Sequence, residues 1–93
     1  MSEFEKTVEG VLDYKIDYAN WLLTDTIASS VWEAAGLTID STSYTNTSST
    51  IFLSGGTLGQ RYDVKNIIST AGGRTDERCF KVRIVPCRSG YVI

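Results

Sequence analysis

Apolar side chains recur at every second position along several stretches of this chain. Over Leu12-Asp13-Tyr14-Lys15-Ile16-Asp17-Tyr18 they alternate with charged residues. This period of two predicts a strand with one buried and one wet face, whereas a helix would scatter Tyr14, Ile16 and Tyr18 around its cylinder. The same alternation runs from Arg78 to Val85, where Phe80, Val82 and Ile84 are separated by Lys81 and Arg83. It recurs over Arg61–Ser69, with Tyr62, Val64 and either Asn66 or Ile68 facing inward. Ile27–Glu33 is a further strand, but strict alternation puts Ile27 and Trp32 on opposite faces. A bulge near Ser29-Ser30, which inserts one extra residue, reconciles them.

Shorter signals fill the intervals. Ala19–Leu23 fits one helical turn, and Asp25 is a turn residue whose carboxylate can bond nearby amides. Leu37–Ile39 reads as a short strand and Thr50–Ser54 as a compact apolar one. Ser41 to Thr50 holds eight serines and threonines in ten residues. That composition is compatible with a flexible linker or with an edge strand and turn, and the edge strand is the reading taken. Such a strand is prone to pair with another chain. Gly72-Gly73 joins the last two long strands as a hairpin, and Pro86, which lacks an amide hydrogen, ends the pairing.

About seven short strands at intervals of roughly 8–12 positions, without a long helix, predict an all-β fold. The class is an immunoglobulin-like or fibronectin III-like antiparallel β-sandwich, with Trp32 on an inner strand and Tyr62 placed as a tyrosine-corner residue. The expected core is Tyr14, Ile16, Trp21, Leu22, Ile27, Trp32, Leu37, Ile39, Phe52, Tyr62, Val64, Ile68, Phe80, Val82 and Ile84. The expected layout is an N-terminal arm over 1–10, the sandwich over 11–86 and a C-terminal tail over 87–93.

Composition narrows the function. A chain of 93 residues has room for one hydrophobic core. The net charge is −2, and the late cluster of Arg74, Arg78, Lys81, Arg83 and Arg88 is interrupted by Asp76 and Glu77. Such a surface lacks the basic stripe that drives nucleic-acid binding. The N-terminus has no signal-peptide pattern and no apolar run nears the ~20 residues of a membrane span, so synthesis and retention in the cytoplasm are expected. Cys79 and Cys87 lie on or just past one strand, too far apart to bridge, and read as thiols. There is no histidine, which removes the usual base for a serine or cysteine nucleophile and leaves too few ligands for zinc.

The carboxylates Asp13, Asp17 and Asp25 can be weighed as calcium ligands or, for Asp13 and Asp17, as a glycosidase pair. The spacing of a calcium loop is missing, and a domain this small rarely holds a substrate cleft. Gly55-Gly56-Thr57-Leu58-Gly59 lacks the ending of a phosphate-binding loop. No catalytic, cofactor or metal residues are assigned, and no small-molecule substrate is expected. The remaining signal is apolar residues outside the core pattern: Phe4, Tyr44, Tyr91, Val92 and Ile93. These are the candidate interface, because apolar residues left on a small domain's surface and termini are often covered by a partner.

One set of segments carries a family likeness: Asp17-Tyr18, Trp21-Leu22, Asp25-Thr26-Ile27, Gly36-Leu37-Thr38, Leu53-Ser54-Gly55-Gly56-Thr57, Tyr62-Asp63-Val64-Lys65-Asn66 and Gly73-Arg74-Thr75-Asp76-Glu77-Arg78. In this order and spacing the sequence resembles the small Ig-like fiber-tail adaptors of tailed bacteriophages and prophages. The likeness runs from about Asp13 to Val85. It departs from the family pattern at Tyr18 and Phe52, where Trp is commoner, and in the tail from Cys87 onward. The resemblance implies a virion structural protein at the tail, linking the tail tube or connector to tail fibers. Its partners would be other virion proteins, with several copies in a ring, joined by protein-protein contacts without catalysis. A similar Ig-like module that decorates the capsid is the alternative.

Overall fold

Alternating segments can bury their apolar faces only by facing one another, and the chain does this in two layers. The structure is a computed structural model and describes residues 2–87. Its elements are β1 (Ser2–Thr7), β2 (Leu12–Asp17), α1 (Ala19–Leu22), β3 (Ile27–Glu33), β4 (Thr38–Tyr44), β5 (Ser48–Ser54), β6 (Arg61–Thr70) and β7 (Thr75–Val85). A four-stranded sheet has the order β1-β7-β6-β3 and a three-stranded sheet the order β2-β5-β4. The all-β, two-layered architecture is the one the alternation implies.

The expected arm is different. Residues 2–7 form β1 and join the first sheet in parallel register with β7, pairing Phe4 with Val82 and Lys6 with Ile84. The sandwich is therefore not purely antiparallel, since this edge pair runs parallel. The alternation was hidden because one inward position is a lysine. Lys6 is fully buried, and its ammonium donates to the carbonyls of Thr7 at 2.8 Å, Val8 at 3.5 Å and Gly55 at 2.7 Å. A buried charge is tolerable only when such acceptors replace its water. Burial pushes its pKa down, opposed by the charge of Asp40.

The register of β3 on β6 shifts between Ile27 and Ser29. This bulge is what the pattern required, and both Ile27 and Trp32 are buried as a result. Asn66 and Ile68 both face inward, so both alternatives for β6 hold. One core cluster is built from Trp32, Ala34, Ile51, Leu53, Val64, Phe80, Val82 and Ile84. A second, at the α1 end, holds Tyr18, Leu22, Ile27 and Ile68.

Two expected core residues are on the surface. Phe52 is 41% exposed and Ile39 is 40% exposed. In an unbroken apolar run such as Ile51-Phe52-Leu53 the phase is not visible, and a one-residue slip would exchange the faces. Pairing decides it: Tyr14 faces Ile51 while Asp13 and Ser41 flank Phe52, so Ile51 and Leu53 fill the interior. Ile39 lies beside the irregularity between Ile39 and Ser41 on edge strand β4.

Tyr62 performs the corner role. Its hydroxyl accepts the Thr57 amide hydrogen at 2.8 Å, tying the start of β6 to the preceding loop. Gly36, at φ +90°, lies against its ring, where an added Cβ would come within 2.5 Å of a ring carbon.

Candidate interaction surface

The sandwich has two open sides, one bordered by β1 and β2 and the other by β3 and β4. Alternation places Phe4 at the first. Its ring lies 5.3 Å from that of Tyr14 and 5.5 Å from that of Phe80, edge-on to Phe80. These are ordinary spacings for attractive aromatic pairs. Phe4 thus folds back onto its own domain, with 43% of its surface exposed.

Tyr44 lies on the other side. Its hydroxyl donates to the Ala28 carbonyl at 2.9 Å, clasping β4 to β3, while 48% of the residue stays exposed. The structure thus sets Phe4 and Tyr44 on opposite sides and does not bring them together. Tyr91, Val92 and Ile93 lie outside the described residues.

The faces differ in chemistry. The outer face of the four-stranded sheet is tiled with ion pairs: Arg61 with Glu3 at 2.8 Å, Lys81 with Asp63 at 2.6 Å, Arg83 with Glu5, and Lys65 between Glu33 and Glu77 at 3.8 and 3.9 Å. Exposed pairs of this kind add little stability, about 0–1 kcal/mol each, but they leave the face charged, self-paired and hydrated. Strand β4 is the opposite. All seven of its residues are exposed, Asp40 is its one charge, and Ser41-Thr42-Ser43-Tyr44 is neutral. It hydrogen-bonds to β5 on one edge only. Sheet edges are usually guarded by lysine, proline or a bulge. Here the irregularity beside Asp40 guards the start of the strand, and among the described residues the rest pairs with no second strand.

The acidic residues weighed as ligands are placed by local turns. Asp17 accepts the Ala19 amide hydrogen at 2.9 Å and starts α1. Asp25 accepts the amide hydrogens of Thr26 at 2.8 Å and Gly72 at 2.9 Å, and meets Arg74 Nε at 3.2 Å. With the Thr70 hydroxyl as the largest influence, these bonds hold its carboxyl at about 2. Arg74 also reaches the Leu22 carbonyl at 3.1 Å and lies 4.2 Å over the Trp21 ring. This clamp joins the α1–β3 loop to the β6–β7 turn. Among the described residues no group of three or more His, Cys, Asp or Glu is placed to hold a metal. Cys79 is an exposed thiol within β7.

Sequence reasoning did not find two features. One is a polar network between the sheets. The Tyr18 hydroxyl donates to Asn66 Oδ1 at 2.9 Å, and Asn66 Nδ2 donates to Ser30 Oγ at 2.9 Å and the Val31 carbonyl at 3.0 Å. Ser30 meets Ser49 at 2.7 Å, and Trp32 Nε1 donates to Ser49 at 2.9 Å. Small polar residues at inward positions of β3 and β5 were the available signal. The other is Leu23, the most exposed large apolar side chain among the described residues, at 83%.

Comparison with known proteins agrees with this geometry. The family model described as podophage GP4 fiber-tail adaptor protein gp77 matches residues 6–83. Among solved structures, the solution structure of the PKD domain from KIAA 1837 protein superposes with a TM-score of 0.51 at 14% identity, covering 97% of this chain and 86% of that one. At that identity the likeness shows the fold alone. Comparison with curated proteins gave no match.

Proposed function

We propose, from the premise that the chain belongs to the podophage GP4 fiber-tail adaptor (gp77) family, that it links the tail tube or connector to the tail fibers through protein-protein contacts alone. Membership supports a structural role in the phage tail and a place in the virion. The link itself, several copies arranged in a ring, and action without catalysis are our reading.

The observation that carries it is the open β4 edge. Ser41–Tyr44 offers main-chain hydrogen-bonding groups on a neutral, extended strand that pairs with no second strand among the described residues. A partner's strand added there would gain its affinity from backbone hydrogen bonds. Phe4, Tyr44 and the segment Tyr91-Val92-Ile93 remain candidate contributors to the contacts around it. The self-paired charges of the other sheet suit a solvent-facing exterior.

Thr42→Lys places a charge on that edge and tests the reading. The purified variant is expected to melt within about 2 °C of the parent, because Thr42 is exposed and surface changes usually cost little. Particles carrying it should lose fibers from the tail, counted by negative-stain microscopy, while immunogold labels the parent protein at the tail. Full fibre occupancy with Thr42→Lys would refute the edge assignment, and gold over the head would replace this reading with capsid decoration.

A further inference from the structure

One kind of clasp is built twice on this chain. Arg74 lies 4.2 Å over the Trp21 ring while its Nε meets Asp25 at 3.2 Å. Arg78 lies 4.8 Å over the Tyr18 ring while its Nε meets Asp76 at 3.2 Å. In each, one guanidinium is shared between a ring face, which attracts its charge, and a carboxylate, which accepts its hydrogens. On the outer face of the three-stranded sheet the ring and the carboxylate recur without the cation. Phe52 on β5 and Asp13 on β2 are direct cross-strand partners. Side chains so placed share a face, with Cβ atoms about 5 Å apart. Both residues are exposed. Among the described residues no cation lies over Phe52 and none pairs with Asp13. Ser41, on the other flank of Phe52, is neutral. Lys15, two positions beyond Asp13, is aligned with Thr50 and makes neither contact.

We infer that Phe52 and Asp13 are the receiving half of a third clasp, which takes an arginine presented by a different virion protein. Arginine fits better than lysine, because its flat guanidinium can stack on the ring and still offer hydrogens to the carboxylate beside it. Asp13 and Asp17 outweigh Lys15 on this face, so it repels nucleic acid and anionic lipid. A second copy has no guanidinium to spare among the described residues. Arg61 is paired with Glu3, Arg74 with Asp25, Arg78 with Asp76 and Arg83 with Glu5. The clasp also borders the β4 edge, since Ser41 lies beside Phe52, so a partner strand added at that edge brings its side chains within reach. The partner's place in the virion rests on the adaptor reading.

Acetyl-arginine amide, added to the isotope-labelled protein and followed by NMR, tests the clasp apart from the virion. The Asp13 and Phe52 amides should shift as the probe is raised to roughly 50 mM, the range for one exposed ring contact and one exposed ion pair. The uncharged isostere acetyl-citrulline amide should leave them in place. Phe52→Leu and Asp13→Asn should melt within about 3 °C of the parent, and each should cut the response about threefold. Arg88→Gln should match the parent; a larger response would show that the chain's own arginine fills the clasp, and the inference would fail. Shifts that spare both residues, or that citrulline reproduces, would overturn it while leaving the adaptor reading intact. In purified particles, p-benzoylphenylalanine in place of Phe52 should cross-link to an arginine-bearing segment of another virion protein. Changing that arginine to glutamine should lower retention as Asp13→Asn does, with the double variant no worse than either. A cross-link to a second copy, to a segment without arginine, or to nothing would refute the partner assigned. Absence of the wild-type protein from particles would overturn the adaptor reading as well.

Discussion

Asn66→Leu removes the centre of the network between the sheets while keeping the same number and branching of side-chain heavy atoms. Three hydrogen bonds are lost, one from the Tyr18 hydroxyl and two from the Asn66 amide. The two amide bonds are worth about 1 kcal/mol each. The Tyr18 hydroxyl then stays buried without this acceptor, a cost of about 2 kcal/mol. It cannot escape by ionising, because burial pushes its pKa up to about 12. Ser30 keeps its contact with Ser49, so no further penalty arises there. The added apolar burial of leucine offsets about 1 kcal/mol. The net loss is about 3 kcal/mol, or about 15 °C in melting temperature for a domain of this size. Urea unfolding followed by Trp32 and Trp21 fluorescence measures it, with an unchanged slope on denaturant confirming that stability alone moved. Adding Tyr18→Phe removes the orphaned hydroxyl, so the double variant should recover about 2 kcal/mol over Asn66→Leu, a coupling that independent sites do not show. A loss below about 1 kcal/mol for Asn66→Leu, or strict additivity, would refute the claim that this network joins the layers.

Two further outcomes follow from the clamp and the corner. Asp25 has its folded pKa depressed from 3.8 to about 2, so its contribution is fully present above about pH 4 and is lost as pH falls toward 2. The wild-type melting temperature should drop more steeply over that window than that of Asp25→Asn, and parallel curves would exclude the clamp as a source of acid sensitivity. Gly36→Ala must place a Cβ against the Tyr62 ring at positive φ; a loss of about 2–3 kcal/mol is expected by chemical denaturation, and a neutral result would mean that the corner can shift.

Local alternation determined much of this protein. Strands β2, β6 and β7, the bulge in β3, the helical turn after Tyr18 and the corner tyrosine were all legible, because each depends on side chains a few positions apart. Of the candidate interface, the edge character of 41–44 was legible from its hydroxyl-rich, nearly uncharged composition. The roles of Phe4 and Tyr44 within the domain were not, because rings and carbonyls contributed by distant strands define them.

Tertiary structure decided what depends on pairing. Which of Ile51 and Phe52 faces inward is not fixed locally, since one phase buries Ile51 with Leu53 and the other the larger Phe52, and the register against β2 and β4 settles it. Residues 2–7 became a strand by pairing with β7, and Gly55, far along the chain, supplies a carbonyl for the buried Lys6. Leu23 became an exposed tip because Arg74 and Gly72 hold the turn beside it. Periodicity is written between neighbours, whereas phase, pairing and strain are set by contacts that exist only once the two sheets have met.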